Sequence, residues 1–552
     1  MSNEYFPDGI KTTIRDLTPE LEGLKDRIID GIIVGIGDVE HYDYIFEFKC
    51  PECKKEHSLE NNEDFRVFTP EYKCEDCNKK MNIIQITKGR IRKLLLQENK
   101  MMQPLDITTY VFGDDTLKVE VGKRIAVGGA LRSVRRHEKD KTYQRVFDAN
   151  RLKIIELKKL MPTQEDIDKF KSLKLSDVIN SFAPNIKNMV TVKEALIITL
   201  LGGVEKSELR GDINTFLVGD PGTAKTKLLQ YVTEITSPSA YASGKSSSAA
   251  GLLAGVDNLA DGTRIPRAGP VVLCSGGVVC IDEMDKMNSQ DRSALHEAME
   301  SHKFSLIKIG INKVWPCETI IIGAANPHGG NKWNMSLSIK ENVKLPDSLL
   351  SRFGLIFLVR DVPSRENDLM IARHILAVRQ GKVTSILNKE EMMKFINYAK
   401  TFKPQMSDEA GEYIVNWWSD LRMESQPNEA PTVDNRFLED LNRIAEAYAK
   451  LRFSDIVEQC DAENAIKLEM ESLQTLGMNT PGKRNESLVE SFNKDQYFHW
   501  VFEKPITYDQ AVVTLLRRHE YFKSKIDAEK EIQKYKNACM LIENNGELTW
   551  VN

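Results

Sequence analysis

Residues 216–226 read Phe-Leu-Val-Gly-Asp-Pro-Gly-Thr-Ala-Lys-Thr: an apolar run, a glycine-bearing loop, and the start of the helix-like stretch 227–235. A strand, such a loop and a helix in that order make a phosphate cradle, because backbone N–H groups of the loop and first helical turn converge on one place. Gly219, Asp220, Pro221, Gly222, Thr223, Ala224, Lys225 and Thr226 are therefore expected to hold a nucleoside triphosphate, with Lys225 on the β and γ oxygens and the Thr226 hydroxyl on Mg2+. Ala224 stands where the general pattern has its last loop glycine, so the reading asks for a second motif at the right distance.

That motif is Gly277-Val-Val-Cys-Ile-Asp-Glu283, an apolar strand delivering two carboxylates at its carboxyl end, where open α/β sheets place their ligands. Asp282 reads as the acid on the Mg2+ side and Glu283 as the general base for in-line attack on the γ-phosphate. A third strand, 319–323, runs into Ala324-Ala325-Asn326-Pro327. Asn326 is placed to orient the attacking water, although taken alone an asparagine before proline is a turn residue.

The 552 residues suggest roughly three or four domains. With 28% charged residues and no apolar run approaching about 18 residues, no membrane-spanning helix is expected. The amino terminus has no signal-peptide pattern, and nine cysteines without a secreted arrangement suggest a reducing compartment. A net charge of −5 means that any nucleic-acid contact must be local.

One local patch stands out: residues 123–159 carry twelve Lys and Arg against four Asp and Glu. The stretches 125–131 and 143–147 read as the strands of a hairpin whose tip holds Arg135, Arg136, Lys139 and Lys141, suited to phosphate-backbone contact; a merely solvated hairpin is the alternative. Cys50, Cys53, Cys74 and Cys77 have zinc-ribbon spacing and would close a structural Zn2+ site with no position for a catalytic water. Cys274, Cys280, Cys317, Cys460 and Cys539 read as core residues.

Between the phosphate loop and the acidic strand lies an insertion. Residues 246–256 read as a helix start, followed by a loop with an Asp261-Gly262 turn. After the helix 289–301 comes a second hairpin, 304–307 with 314–315, whose tip carries Lys308, Gly310 and Lys313. Two projecting hairpins on a nucleotide-driven core are candidate levers, with an ordinary exposed strand lysine as the plain reading of Lys308.

In order and spacing the motifs resemble the MCM family of replicative AAA+ helicases, archaeal type: 211–226, Tyr241 to Gly251, Cys280 to Met287, His296 to Glu300, Ala324 to Pro327, Leu349 to Phe353, and Arg436 to Lys450. The resemblance covers 180–455 with high specificity and the zinc-bearing amino-terminal region with less. It implies a homo-hexameric ring with ATP between subunits. Lys225, Thr226, Asp282, Glu283 and Asn326 would act from one protomer, while Arg352 as arginine finger and Arg436 as second sensor arginine act on the neighbour's ATP; Lys308 and the 135–141 tip would face DNA. Without the resemblance, Arg436 reads as a helix-surface partner of Glu439 or Asp440.

The fold class expected is an α/β AAA+ P-loop core with an amino-terminal OB-fold carrying a zinc ribbon and a carboxyl-terminal winged helix. The boundaries are 1–155 for the OB-fold domain (ribbon about 48–82, basic hairpin about 131–147), 156–185 linker, 186–362 ATPase core, 363–476 helical lid, 477–487 linker and 488–552 winged helix. The function implied is ATP-driven translocation on single-stranded DNA and unwinding of forked DNA in replication, the alternative being a loader, remodeller or regulatory ring subunit without autonomous unwinding. An initiator or loader partner, no membrane partner, and a cytoplasmic, nucleoid-associated setting in a prokaryote or viral element complete the expectation. The chain departs from the family at Gly354, where an aspartate is usual, at Glu300-Ser301-His302, at Arg267-Ala-Gly-Pro270, and in a short region before the phosphate loop.

Overall fold

The computed structural model describes residues 6, 10–21, 24 and 27–476, except 62–69, 99–103, 135–142, 157–159, 207–209, 246–248, 309, 331, 336 and 425–433; beyond 476 it describes 506–516, 541–544, 547–550 and five single positions. The chain divides into two units, Met1–Leu476 and Gly477–Asn552.

The first unit begins with strands β1 (Ile10–Lys11), β2 (Arg27–Lys49), β3 (Glu56–Glu60), β4 (Asn82–Gln97), β5 (Asp106–Phe112), β6 (Arg124–Val134) and β7 (Gln144–Ile155). The path β2-β4-β5-β7-β6 closes on itself because β6 also pairs with β2, so five strands form a barrel with one parallel contact, β5 to β7. Its interior is apolar, with Ile29, Ile33, Leu94, Leu96, Val127 and Phe147 buried. Strands β2 and β4 run past the barrel and end at the cysteine knuckles, over a satellite cluster of Phe46, Phe48 and Met81. Val134 faces Gln144, so the basic tip falls between paired strands as expected, but Arg135, Arg136, Lys139 and Lys141 lie outside the described residues.

Helices α1 (Gln164–Ser172) and α2 (Leu175–Ser181) occupy much of the range read as a linker. Thr163 caps α1 in a reciprocal box with Asp166, and Phe170 packs edge-on against Phe395, so this stretch is anchored to the lid. The core follows: α3 (Val190–Leu201), β8 (Thr215–Gly219), α4 (Lys225–Ile235), β9 (Ser239–Ser243), α5 (Ala249–Leu252), β10 (Ala254–Asn258), β11 (Arg264–Ala268), α6 (Pro270–Leu273), β12 (Val278–Asp282), α7 (Ser289–Ser301), β13 (Lys303–Lys308), β14 (Ile311–Pro316), β15 (Ile320–Ala325), α8 (Ile339–Val343), α9 (Asp347–Leu350) and β16 (Leu355–Val359). Five strands in the order β16-β8-β15-β12-β9 form an all-parallel sheet. Strands β8, β12 and β16 are buried along their whole length, as a sheet covered on both faces requires.

The insertion differs from its expectation. Among the described residues of that stretch only Ala249–Leu252 is helical, and the chain turns at once into the β10–β11 hairpin. The hairpin does not project freely. Arg267 pairs with Gly35 on the edge of β2, and Leu259 and Ile265 pack on Val34 and Leu95 of the barrel. Burying those two side chains outweighs leaving the hairpin in water. The β13–β14 hairpin forms as expected, with Phe304 and Leu306 inward and Ser305 and Lys308 exposed.

The lid comprises α10 (Arg365–Arg379), α11 (Lys389–Ala399), β17 (Gln405–Met406), α12 (Asp408–Glu424), α13 (Asn435–Leu451), β18 (Ile456–Val457) and α14 (Gln459–Thr475). Asp434 caps α13 by accepting from the N–H groups of Arg436 and Phe437. Cys460, expected in a core, is exposed instead, in the first turn of α14; Cys274, Cys280 and Cys317 are buried, and Cys539 lies outside the described residues. In the second unit, β19 (Ile506–Thr507), α15 (Tyr508–Leu516), β20 (Leu541–Asn544) and β21 (Glu547–Trp550) are described, with β21 between the other two strands. Among the described residues no helix is long and apolar enough to cross a membrane.

Candidate active site

The phosphate loop joins β8 to α4 at the carboxyl edge of the sheet. Gly219 has φ +136°, and a Cβ on it would lie 2.0 Å from the Val359 carbonyl oxygen, so no other residue fits. Asp220 is a staple of the loop: its buried carboxylate accepts from the N–H groups of Trp333 (2.7 Å) and Asp361 (2.8 Å). Ala224 sits at φ +60°, which explains why a glycine is usual there. Lys225 is buried, and its Nζ donates to the carbonyls of Gly219 (2.8 Å) and Asp220 (2.7 Å) and to Thr223 Oγ1 (3.1 Å). All three partners are neutral, and among the described residues no carboxylate forms an ion pair with it. Burial pushes its ammonium down to about 8 against the pull of Asp282, Asp220 and Asp285. A buried cation whose bonds go only to neutral oxygens is a seat for an anion.

Thr226 Oγ1 donates to Asp282 Oδ2 at 2.6 Å, and Tyr241 Oη donates to the same oxygen at 3.0 Å. The hydroxyl and the carboxylate thus meet as two hard oxygen ligands suited to Mg2+. Glu283 occupies the left-handed region at φ +53°. Its carboxylate is held by Lys286 and accepts from Ser243 Oγ at 3.2 Å, and the Lys286 bond is the main reason that its pKa lies below the ordinary range. Asn326 follows β15, between the strands that carry the loop and the acids, with its N–H on Asp285 Oδ1 at 3.1 Å. Tyr241, Ser243 and Lys286 are partners that the sequence reading did not single out; Tyr241 and Ser243 lie on β9, which pairs residue for residue with β12, a register that only the folded sheet reveals.

Arg352 and Arg436 do not join this cluster. Arg352 precedes β16 and so lies at the amino edge of the parallel sheet, the end opposite the phosphate loop. It meets Glu300 at 2.6 Å and donates from Nε to His296 Nε2 at 3.4 Å, and its side chain is only 5% exposed. Arg436, 45% exposed, lies 4.0 Å from the same Glu300. It does not take Glu439 or Asp440, the partners otherwise expected, because Arg443 holds both. The phosphate loop with its acids and the two arginines therefore stand at opposite ends of one sheet.

The profile of the MCM P-loop domain matches residues 163–379 and that of the MCM AAA-lid domain residues 390–473. The chain is 33% identical over 482 residues to the Minichromosome maintenance protein MCM of Saccharolobus solfataricus, covering 82% of this chain and 70% of that protein. The chain belongs to the MCM family. It is also 30% identical over 512 residues to the DNA replication licensing factor mcm7 of Xenopus tropicalis, covering 86% of this chain and 71% of the relative. Against the DNA replication licensing factor MCM4 of Arabidopsis thaliana the identity is 37% over 331 residues, 56% of this chain and 39% of the relative. As an MCM-family AAA+ P-loop ATPase, the chain is an ATP-dependent DNA helicase of replication that takes ATP with Mg2+.

Away from the ATPase site, the sulfurs of Cys50, Cys53, Cys74 and Cys77 all lie within 4.8 Å of one another. Tetrahedral zinc at about 2.3 Å from each sulfur needs S–S separations of about 3.8 Å, and the pairs Cys50–Cys77, Cys53–Cys74 and Cys53–Cys77 stand at 3.3, 3.5 and 3.8 Å. The two knuckles are built alike. Lys54 and Asn78 both take positive φ, and their N–H groups return to the carbonyls of Cys50 (3.2 Å) and Cys74 (2.9 Å). The donor set fits a closed structural ion.

Proposed function

We propose that the chain assembles as a homo-hexameric ring that translocates on single-stranded DNA and unwinds forked duplex, with ATP hydrolysed between subunits. The observation that carries this reading is the split of the machinery. Lys225, Thr226, Asp282, Glu283 and Asn326 stand at the carboxyl edge of the sheet and Arg352 and Arg436 at its amino edge, so the halves complement each other only between copies.

In this reading Lys225 and the loop N–H groups hold the β and γ phosphates, and Thr226 and Asp282 hold Mg2+. The ion neutralises phosphate charge when bound. Glu283 takes the proton of a water that Asn326 orients, and the neighbour's Arg352 and Arg436 stabilise charge building on the γ-phosphate. Arg352 must leave Glu300 to do so. Lys308, exposed on β13, and the basic tip at Arg135, Arg136, Lys139 and Lys141 are assigned to DNA. The barrel order β2-β4-β5-β7-β6 supports an OB-fold for the amino-terminal domain, the four thiols support Zn2+, and a helix followed by a β-hairpin supports a winged helix in the second unit. An initiator or loader is the protein partner proposed, in the cytoplasm of a prokaryote or of a host carrying a viral element.

The test is unwinding of forked DNA by the purified chain beside a Glu283→Gln form, with mass measured in solution. Unwinding by a hexamer of the native chain alone supports the reading; ATP hydrolysis without unwinding by that chain refutes it.

A further inference from the structure

Behind the two arginines the contacts form a closed circuit. Glu300, which both arginines face, follows Met299, whose carbonyl accepts from Arg210 Nη1 at 2.6 Å. The carbonyl of Arg210 accepts from Arg443 Nε at 3.1 Å, and Arg443 Nη1 donates to Asp440 Oδ1 at 2.5 Å. The circuit closes at Gly354, two residues beyond Arg352. A Cβ built on Gly354 would meet Asp440 Cγ at 2.8 Å and its two oxygens at 3.0 and 3.2 Å. The carboxylate of Asp440 therefore fills the space a side chain at 354 would take. Asp440 stands on α13 one turn after Arg436, so a single carboxylate touches both the loop that carries one arginine and the helix that carries the other.

We propose that Asp440 is a positioning residue for the arginine pair: seated against Gly354 and bonded to Arg443, it keeps the Arg352 loop and the lid helix in one register, so that both arginines are presented together to the neighbour's ATP. This rests on the cross-subunit reading above. A largely covered carboxylate held by a charge-assisted bond is a stiff link, because shifting it would leave Arg443 unpaired on that side. Burial lifts the Asp440 carboxyl to about 6, against Arg443 and Arg210 and with Asp212 and Glu439, so it is charged at neutral pH. Gly354 matters for what it lacks: with a side chain there, the Asp440 carboxylate would have to leave its present place.

The test moves the carboxylate across the contact in the full chain. Asp440→Ser is expected to lower DNA-stimulated kcat about 10-fold with KM for ATP changed less than about 2-fold, since the arginines act on the transition state. Gly354→Asp, which crowds two carboxylates together, should also be slow, and the double variant, with one carboxylate again in the space, should return to within about 3-fold of native. Native turnover in Asp440→Ser, or a double variant no faster than the slower single, overturns the proposal. Should Asp440→Ser fold poorly, Asp440→Asn keeps the shape and removes the charge. Asp440→Asn subunits are then mixed before assembly with Lys225→Ala subunits, which lack a working phosphate loop but keep their arginines, beside a control in which Arg352→Ala replaces Asp440→Asn. Recovery in both mixtures supports the assignment. Recovery in the control alone overturns it, and recovery in neither overturns the cross-subunit reading and this assignment with it.

Discussion

Ala224 is held at φ +60°, where a β-carbon crowds the following carbonyl. Exchanging alanine for glycine inside a helix costs about 1 kcal/mol, but here the strain is removed. Ala224→Gly is therefore expected to leave Tm unchanged or raise it, with ATP affinity retained; a clear fall in a thermal melt would contradict this. A second residue carries a pH signature. Glu469 of α14 is buried, with Oε2 lacking a hydrogen-bond partner among the described residues, and burial beside Asp440 raises its carboxyl well above the ordinary 4.5. The native state thus keeps a proton that the unfolded chain releases above pH 4.5, and this group opposes folding increasingly as pH rises from there toward its raised value. Glu469→Gln should melt higher than the native chain at pH 8, with the gap narrowing by pH 5. The loop spacing was legible because phosphate binding dictates it. The strain at Ala224 and the burial of Glu469 were not, since both depend on what packs around them.

Among elements, the β10–β11 hairpin departs most from its sequence reading. Its Asp261-Gly262 turn was legible, but not that Asp261 would accept from Tyr110 Oη at 3.0 Å and sit 3.1 Å from Lys93 Nζ, or that Ala260 N–H would reach Thr108 Oγ1 at 3.1 Å. These groups come from strands some 150 residues earlier in the chain. Asp261→Ala removes that anchor at a cost of about 1–3 kcal/mol to the local docking. Hydrogen exchange across 254–268 should speed up, and DNA stimulation of the ATPase should fall while DNA-free hydrolysis persists. Unchanged exchange would show that the apolar contacts alone hold the hairpin. The cysteine knuckles behave oppositely: their geometry was legible from two short spacings because a metal site needs its ligands in local turns. One zinc per chain is expected by elemental analysis, and stripping it with a chelator should expose four further reactive thiols while the barrel melts as before, since the knuckle cluster is separate from the barrel core.

At the scale of the molecule, the two units have separate sheets, and the ATPase core and barrel carry their own buried clusters within Met1–Leu476. A chain ending at 476 is expected to melt cooperatively, to keep its ATPase, and to bind zinc; loss of cooperative melting would show that the last unit completes the fold. The sequence by itself determined the family, the phosphate loop, the acids at 282 and 283, the thiol quartet and the helix-rich lid. Each of these is written in residues close together in the chain, where backbone geometry and ligand chemistry leave few choices. Only the tertiary structure decided that Arg352 and Arg436 share Glu300 at the end of the sheet remote from Lys225, that the insertion hairpin docks on the barrel, and that Asp440 fills the space beside Gly354. Those contacts join residues far apart in the chain, and their energies come from burial and charge pairing that exist only once the layers have packed.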